Sequence, residues 1–183
     1  MNGKAVRFMK IISIASVMAG GKTTTVNALL NQLPKSTALY FDNYEFVGAV
    51  DDYNKWVNEG ANYNKWNLEP LEKDIKRLLE SKDFDYILLD YPFAYANKLI
   101  EPYIDTSIFI DTPLDVALAR SVLRDMSSSS ADSIRKCLSD YLNFARPAFL
   151  QMQKDIKPIS DYIVDGTLST QELVQEIIKI SGI

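Results

Sequence analysis

The sequence contains no histidine. A Ser-His-Asp triad and a His-ligated zinc site are therefore excluded, and any proton transfer must run through a carboxylate, Lys, Tyr or Cys. The single cysteine, Cys137, excludes an intrachain disulfide and fits a reducing compartment. No apolar run is long enough to cross a membrane and no signal peptide is read, so the expectation is a cytoplasmic protein with no membrane partner. Basic residues do not dominate: 20 Lys and Arg face 24 Asp and Glu, a net charge of −4. That balance offers no broad basic face, and no nucleic-acid partner is expected. Glycine is scarce, and two of the seven are adjacent, Gly20-Gly21. Against these absences stands an ordinary globular composition, 47% hydrophobic and 24% charged, over 183 residues. One domain spanning 1–183 with a sizeable core is expected. A homo-oligomer is compatible with the sequence, which leaves the oligomeric state open.

The adjacent glycines sit in the stretch that organises the chain, Ser13-Ile14-Ala15-Ser16-Val17-Met18-Ala19-Gly20-Gly21-Lys22-Thr23-Thr24. The isoleucine-rich run Phe8 to Ala15 predicts a buried strand, and Val26 to Leu33 predicts a helix. Between them Gly-Lys-Thr ends a phosphate-binding loop of the form G-x-x-x-x-G-K-[ST]. Glycines let successive N–H groups curl around an anion, and the following helix adds its free N–H groups and positive dipole end. Lys22 can reach the β- and γ-phosphates of ATP, and the Thr23 hydroxyl can hold Mg²⁺. Ser16, Ala19, Gly20, Gly21, Lys22, Thr23 and Thr24 are the nucleotide-binding candidates of this loop. Ser16 stands where the pattern has its first glycine, so a negative φ or modest strain is expected there.

Further along, Thr37 to Phe41 predicts a short strand ending at Asp42-Asn43-Tyr44. Ligands of parallel sheets lie beyond the carboxyl ends of the strands, so Asp42 stands where chemistry would occur; a turn residue is the other reading. Residues 44–67 carry Tyr44, Phe46, Tyr53, Trp56, Tyr63 and Trp66 among Asp, Asn and Lys. As a segment they read as a substrate lobe whose ring faces stack on a planar ligand, although single aromatics can equally pin down a loop. Tyr44, Trp56, Tyr63 and Trp66 are its contact candidates. Glu69-Pro70 opens a helix with the apolar stripe Leu71, Ile75, Leu78, Leu79. Phe84 to Asp90 is a strand with an acidic end, the shape that helps hold Mg²⁺ beside a phosphate loop. Tyr91 directly follows and joins the substrate candidates. Metal-holding candidates are Thr23, Asp42 and Asp90.

Ser107 to Asp111 is another strand. Thr112 can cap the next helix and Pro113 suits its first position. On that helix Arg120 and Arg124 share a face and can clamp phosphate; pairing with Asp115 or Asp125 is the alternative. Ser127 to Ser130 reads as a loop. A helical stripe runs from Ile134 to Met152 and should kink or split at Pro147. Tyr162 to Val164 is the last strand. Ser169-Thr170-Gln171-Glu172 is a capping box that opens an amphipathic helix. Strands and helices alternate throughout, which predicts an α/β domain with three layers and a mainly parallel sheet.

On these residues the chain resembles the uridine kinase-like branch of the P-loop kinases. The pieces that carry the resemblance come in order: the P-loop; Asp42-Asn43-Tyr44; Asp90; Arg120 to Asp125; Tyr141-Leu142-Asn143-Phe144-Ala145-Arg146-Pro147-Ala148-Phe149; and Ser160 to Gly166. The resemblance implies the P-loop NTPase fold with a five-stranded sheet, and ATP and Mg²⁺ as cofactors. It implies an acceptor hydroxyl on a small molecule of the nucleoside type. It gives Asp42 the activation of that hydroxyl, Asp90 and Thr23 the metal, Arg120 and Arg124 the lid over ATP, with a lid region over 120–135, and Asp165-Gly166-Thr167 the passage past adenine. Lys22, Asp42, Arg120 and Arg124 are then the catalytic set. The sequence departs from the family in its lid tip, where four serines stand in place of an arginine. Two function classes follow: a small-molecule kinase, or a nucleotide-binding ATPase or switch without an acceptor.

Overall fold

The computed structural model describes residues 9–183. Phe8, the first residue of the expected opening strand, lies outside the described residues. Among the described residues five strands form a single sheet: β1 Lys10–Ala15, β2 Ser36–Tyr40, β3 Tyr86–Asp90, β4 Thr106–Asp111 and β5 Tyr162–Asp165. Their order is β2-β3-β1-β4-β5, and every neighbouring pair is parallel. β1 lies at the centre, and from Ile11 to Ala15 each of its residues is buried. It reads as a continuous apolar run because helices cover both faces of the sheet.

Side-chain alternation divides the strands between two cores. Ile12 and Ile14 of β1, Leu88 of β3, and Ile108 and Ile110 of β4 point to one face. There they meet Val26 and Leu29 of α1 (Lys22–Leu30) and Leu173, Val174 and Ile177 of α7 (Thr170–Ser181). Ile11, Ile87, Leu89 and Phe109 point the other way. They meet Trp56 of α2 (Tyr53–Asn58) and Leu71 and Ile75 of α3 (Glu69–Ser81). The three-layer α/β/α arrangement read from the alternation of elements is what the chain adopts.

Three local departures from the expected boundaries have clear causes. The first helix begins at Lys22, four residues before Val26, and stops at Leu30. Its N-cap is Gly21, at φ 103°, with no side chain bonded to the first turn and no acidic residue in it. The loop itself feeds the helix, leaving its first N–H groups open. β2 ends at Tyr40, and Phe41–Asn43 turn off as a single 3₁₀ turn.

The third concerns the run up to Met152, which splits as expected, but at a turn just ahead of Pro147. That run splits into α5 (Ala131–Asp140), a π-turn over Tyr141–Ala145, and α6 (Arg146–Asp155). Pro147 has no N–H to give the carbonyl four residues back. That carbonyl, Asn143 O, instead accepts from Asn54 Nδ2 of α2 at 2.7 Å. α4 (Leu114–Asp125) precedes the serine loop, and the last serine of the run, Ser130, is the N-cap of α5 and accepts from Ser133 N.

Candidate active site at the carboxyl edge of the sheet

The loop between β1 and α1 is shaped from within. Ser16 Oγ donates to Ile110 O at 2.8 Å and lies in the space a side chain on Gly20 would need; a Cβ there would stand 1.9 Å from it. Ser16 itself has no positive φ, so the expected strain does not arise at that position. The left-handed residues are Ala19 (φ 56°) and Gly21 (φ 103°). A non-glycine residue held there costs about 1–2 kcal/mol, the kind of local strain that functional loops carry.

From behind, Thr112 Oγ1 donates to Gly20 O at 2.8 Å. Thr112 therefore serves the loop rather than capping α4, whose N-cap is Pro113 without a side-chain bond. Thr112 also packs against Gly166, where an added Cβ would lie 1.9 Å from its Oγ1. Gly166 O in turn accepts from Arg120 Nη1 at 3.0 Å. One buried hydroxyl thus ties the phosphate loop to the ends of β4 and β5, and through Gly166 to α4.

Two cavities open along this edge. The first, about 420 Å³, is a cleft lined by Ala19 through Thr25, by Asp42, Arg120 and Arg124, and by Gly166 and Leu168. Lys22 reaches back to Ser16 O and Val17 O, both at 3.3 Å, long contacts that a phosphate can replace. Burial lowers the Lys22 pKa, partly offset by the carboxylates of Asp90 and Asp42. Asp90, 5% exposed, accepts from Thr23 Oγ1 at 2.5 Å. Burial raises the Asp90 pKa, against the Thr23 hydrogen bond and the charge of Lys22. Arg124 borders the cleft, but its guanidinium is held by Asp125 through Nε at 2.7 Å and Nη2 at 2.8 Å. The Asp125 alternative read from the sequence is the pairing observed.

The second cavity, about 320 Å³, is a chamber walled by Phe41, Tyr53, Trp56, Trp66, Phe93 and Phe149, with Ala145, Ala148 and Met152 from the chain around α6. Its rings brace one another. Trp56 meets Trp66 edge-on with centroids 5.5 Å apart, and Trp66 meets Phe93 at 4.8 Å. Met18, Lys22 and Asp42 lie on the walls of both cavities.

Of the ring residues expected to contact substrate, Trp56 and Trp66 line the chamber, whereas Tyr44, Tyr63 and Tyr91 do not. Tyr44 turns outward, its hydroxyl on Asp74 at 2.9 Å and its ring stacked on Phe46. Tyr63 is buried behind Trp56, edge-on at 5.0 Å, with its hydroxyl on Asp155. Tyr91 is fully buried between Phe41 and Phe93 and supports them.

Phe41, Tyr53, Phe93 and Phe149 are wall residues that the sequence reading did not place among the contact candidates. Two signals for them were present. Pro92-Phe93 follows a strand end, and Ala145, Ala148, Phe149 and Met152 share one helical face. Asn97, fully buried, also gave no sign of its role. Its Nδ2 donates to Tyr63 O at 3.0 Å and to Trp66 O at 3.3 Å, and so fixes the loop that presents Trp66.

Thr23 and Asp90 are hard oxygen donors, and Asp42 acts electrostatically on Asp90 from across the cleft. Among the described residues no group of three or more His, Cys, Asp or Glu side chains forms a complete metal site. This donor set fits Mg²⁺, which takes one or two carboxylates and completes its shell with water and phosphate oxygens. Among the described residues no helix is long and apolar enough to cross a membrane.

No family model matches the chain. Curated relatives are found along most of its length. The uridine kinase of Borrelia hermsii is 24% identical, covering 85% of this chain and 86% of that one. The uridine kinase of Staphylococcus carnosus is 26% identical, covering 84% and 86%. A shorter stretch is 38% identical to the uridine kinase of Psychromonas ingrahamii, over 48% of this chain and 42% of that one.

Solved structures share the fold at lower identity. A shikimate kinase from Bacteroides thetaiotaomicron superposes with a TM-score of 0.57 at 16% identity, covering 96% of this chain and 99% of that one. A sugar kinase from Janibacter gives the same TM-score at 11% identity, covering 96% and 95%. In sequence the chain is similar to uridine kinases, and its fold is that of the P-loop kinases.

Proposed function

We propose that the protein is an ATP-dependent phosphotransferase that moves the γ-phosphate to a hydroxyl of a small molecule, with a nucleoside as acceptor. One observation carries this reading: Lys22 and Asp42 lie on the walls of both the phosphate cleft and the aromatic chamber. A hydroxyl presented from the chamber meets the end of a triphosphate at that junction. The similarity to uridine kinases supports a nucleoside, and the rings of Trp56 and Trp66 supply aromatic surface against which a base packs.

In the proposed reaction, Asp42 orients the acceptor hydroxyl and takes its proton as the new oxygen–phosphorus bond forms. The bond to the bridging oxygen breaks in line, and ADP leaves. Lys22 exchanges its carbonyl contacts for phosphate oxygens. The loop N–H groups and the open first turn of α1 hold the remaining phosphate oxygens. Arg120, anchored on Gly166 O, faces the same cleft. Thr23 and Asp90 would hold Mg²⁺, which when bound offsets phosphate charge. Little covalent chemistry is asked of the protein, so positioning and electrostatic stabilisation supply the rate.

The test is an ATP-consumption screen against nucleosides, vitamins and sugars, with the Lys22→Ala protein as control. A nucleoside that stimulates turnover in the native protein and not in the control supports the proposal. Equal stimulation in both proteins refutes the assignment of the cleft.

A further inference from the structure

We infer that Trp66 Nε1 reads the acceptor's ring. It donates a hydrogen bond to a lone pair on the ring's edge, and so selects an alcohol whose planar group carries a carbonyl oxygen or an unprotonated ring nitrogen. This deepens the phosphotransferase reading and rests on it for the transfer step, while the hydrogen bond is measurable without transfer.

The two tryptophans of the chain both line the chamber, but their indole N–H groups differ. Trp56 Nε1 donates to Asn62 O at 3.1 Å. Trp66 Nε1 has no partner among the described residues, although Trp66 is only 7% exposed. A buried indole N–H ordinarily finds a partner, because leaving the bond unmade is costly. Nor is this N–H sealed in the core. Among the described residues the unpaired side-chain groups shut off from any space are the hydroxyls of Ser13, Tyr91 and Ser107. The Trp66 N–H therefore borders open space, and of the cavities described Trp66 lines the chamber alone.

The donor is also held in place. Asn97 Nδ2 bonds Trp66 O at 3.3 Å, Asn67 N bonds Val47 O at 3.1 Å, and the indole packs against Trp56, Tyr63 and Phe93. A group fixed before the ligand arrives loses little freedom on binding.

An indole N–H donates and cannot accept, so it imposes a sign on the ligand. The other polar side chains of the wall do not impose it. Lys22 and Asp42 stand at the junction with the phosphate cleft, and Ser16 Oγ donates to Ile110 O at 2.8 Å. Tyr53 brings a second hydroxyl without a partner, but it is 43% exposed and can donate or accept, so it tolerates either kind of edge.

The test uses the two indole N–H signals in the ¹H–¹⁵N spectrum of the whole protein, assigned by deleting one with Trp66→Phe or the other with Trp56→Phe. With a non-hydrolysable ATP analogue bound, the protein is titrated with uridine and with ribose bearing a phenyl group in place of the base, whose edge has no lone pair. The Trp66 signal should move downfield with uridine and not with the phenyl riboside, while the Trp56 signal responds alike to both. The preference for uridine over the phenyl riboside should fall about two- to tenfold in Trp66→Phe, the worth of one neutral hydrogen bond, and persist in Tyr53→Phe. Transfer from ATP to each probe is measured in parallel.

A Trp66 signal that answers both probes alike, or neither, would overturn the inference, and the native protein alone decides this should Trp66→Phe not fold. An unchanged preference in a folded Trp66→Phe would overturn it too, as would a preference lost in Tyr53→Phe. If signal and preference behave as expected while no probe accepts phosphate, the inference stands and the nucleoside kinase reading falls.

Discussion

Replacing Thr112 with valine removes one hydroxyl and nearly nothing else. That hydroxyl donates to Gly20 O at 2.8 Å from a residue only 1% exposed. In a planar trans peptide the C=O and the following N–H point in opposite directions. Holding Gly20 O toward the core therefore aims the Gly21 N–H outward, where the phosphate cleft lies. Leaving the buried carbonyl unbonded costs about 1–3 kcal/mol. For a chain of 183 residues a kcal/mol corresponds to about 2–4 °C, so the melting temperature of Thr112→Val should fall by about 2–12 °C. A misaimed N–H loses a hydrogen bond to a charged group, about 1.5–3 kcal/mol, which weakens ATP by roughly tenfold or more. Thermal melts with and without ATP read both effects. Thr112→Ser keeps the hydroxyl and should recover most of each. A Thr112→Val protein with unchanged melting and unchanged ATP affinity would refute the reasoning, and equal damage in Thr112→Ser would assign the effect to the lost methyl contact.

Asp42→Asn keeps size and hydrogen bonding but removes the charge; ATP should bind within about threefold of native while transfer to the acceptor drops by roughly 10²–10⁴-fold, the span of general acid–base catalysis. Near-native transfer would remove Asp42 from the site. Burial lowers the Lys22 pKa, so the unfolded chain binds more protons than the folded one through the alkaline range. Stability should therefore rise with pH there, and the charged lysine is a cost at neutral pH. Lys22→Met should accordingly melt higher than native without nucleotide, yet show no ATP-induced shift. Asp90 has the opposite proton balance, because burial raises its pKa and the folded state binds the proton more tightly. Its ionisation should cost stability as pH rises above the ordinary carboxylate range, and Asp90→Asn should flatten that loss in a pH series of melts while weakening the Mg²⁺ dependence of ATP binding.

The sheet was legible because each strand carries its own signal. β1, β3 and β4 are apolar runs that end in small or acidic residues, and the glycine pair marks the P-loop between β1 and α1. The capping box of α7 was equally local, and it forms with both its hydrogen bonds. The chamber was not legible in the same way. Its wall draws on Phe41 after β2, Trp56 and Trp66 from the aromatic segment, Phe93 after β3, and Phe149 on α6. No spacing rule joins four segments that lie so far apart. Within residues 44–67 composition pointed to rings against a ligand, but it could not tell a wall from its backing. Tyr63 and Trp66 are three residues apart, and one braces while the other lines.

The polar residues that hold the site together were hidden for a related reason: a hydroxyl or amide that bonds distant backbone looks in sequence like a cap or a turn residue. Thr112 stands before Pro113 and a helix, so capping was the natural reading, yet its partner is 92 positions away. Asn97 sits among loop residues and bonds 34 and 31 positions back. Thr112 ties the phosphate loop to the end of β4 and Asn97 ties the Trp66 loop to the segment after β3, and both are buried where an unmade bond is costly. This division has a physical basis. The groups that meet phosphate must lie within one tight turn, so they are contiguous in sequence. The groups that aim them come from elsewhere: the strained turn at Ala19 is held by Ser16 bonding Ile110 O on β4 and by Thr112 bonding Gly20 O. A phosphate loop therefore announces its ligand chemistry in a dozen residues, while its precision resides in β4, β5 and the ring-bearing segments that the fold brings to the same edge.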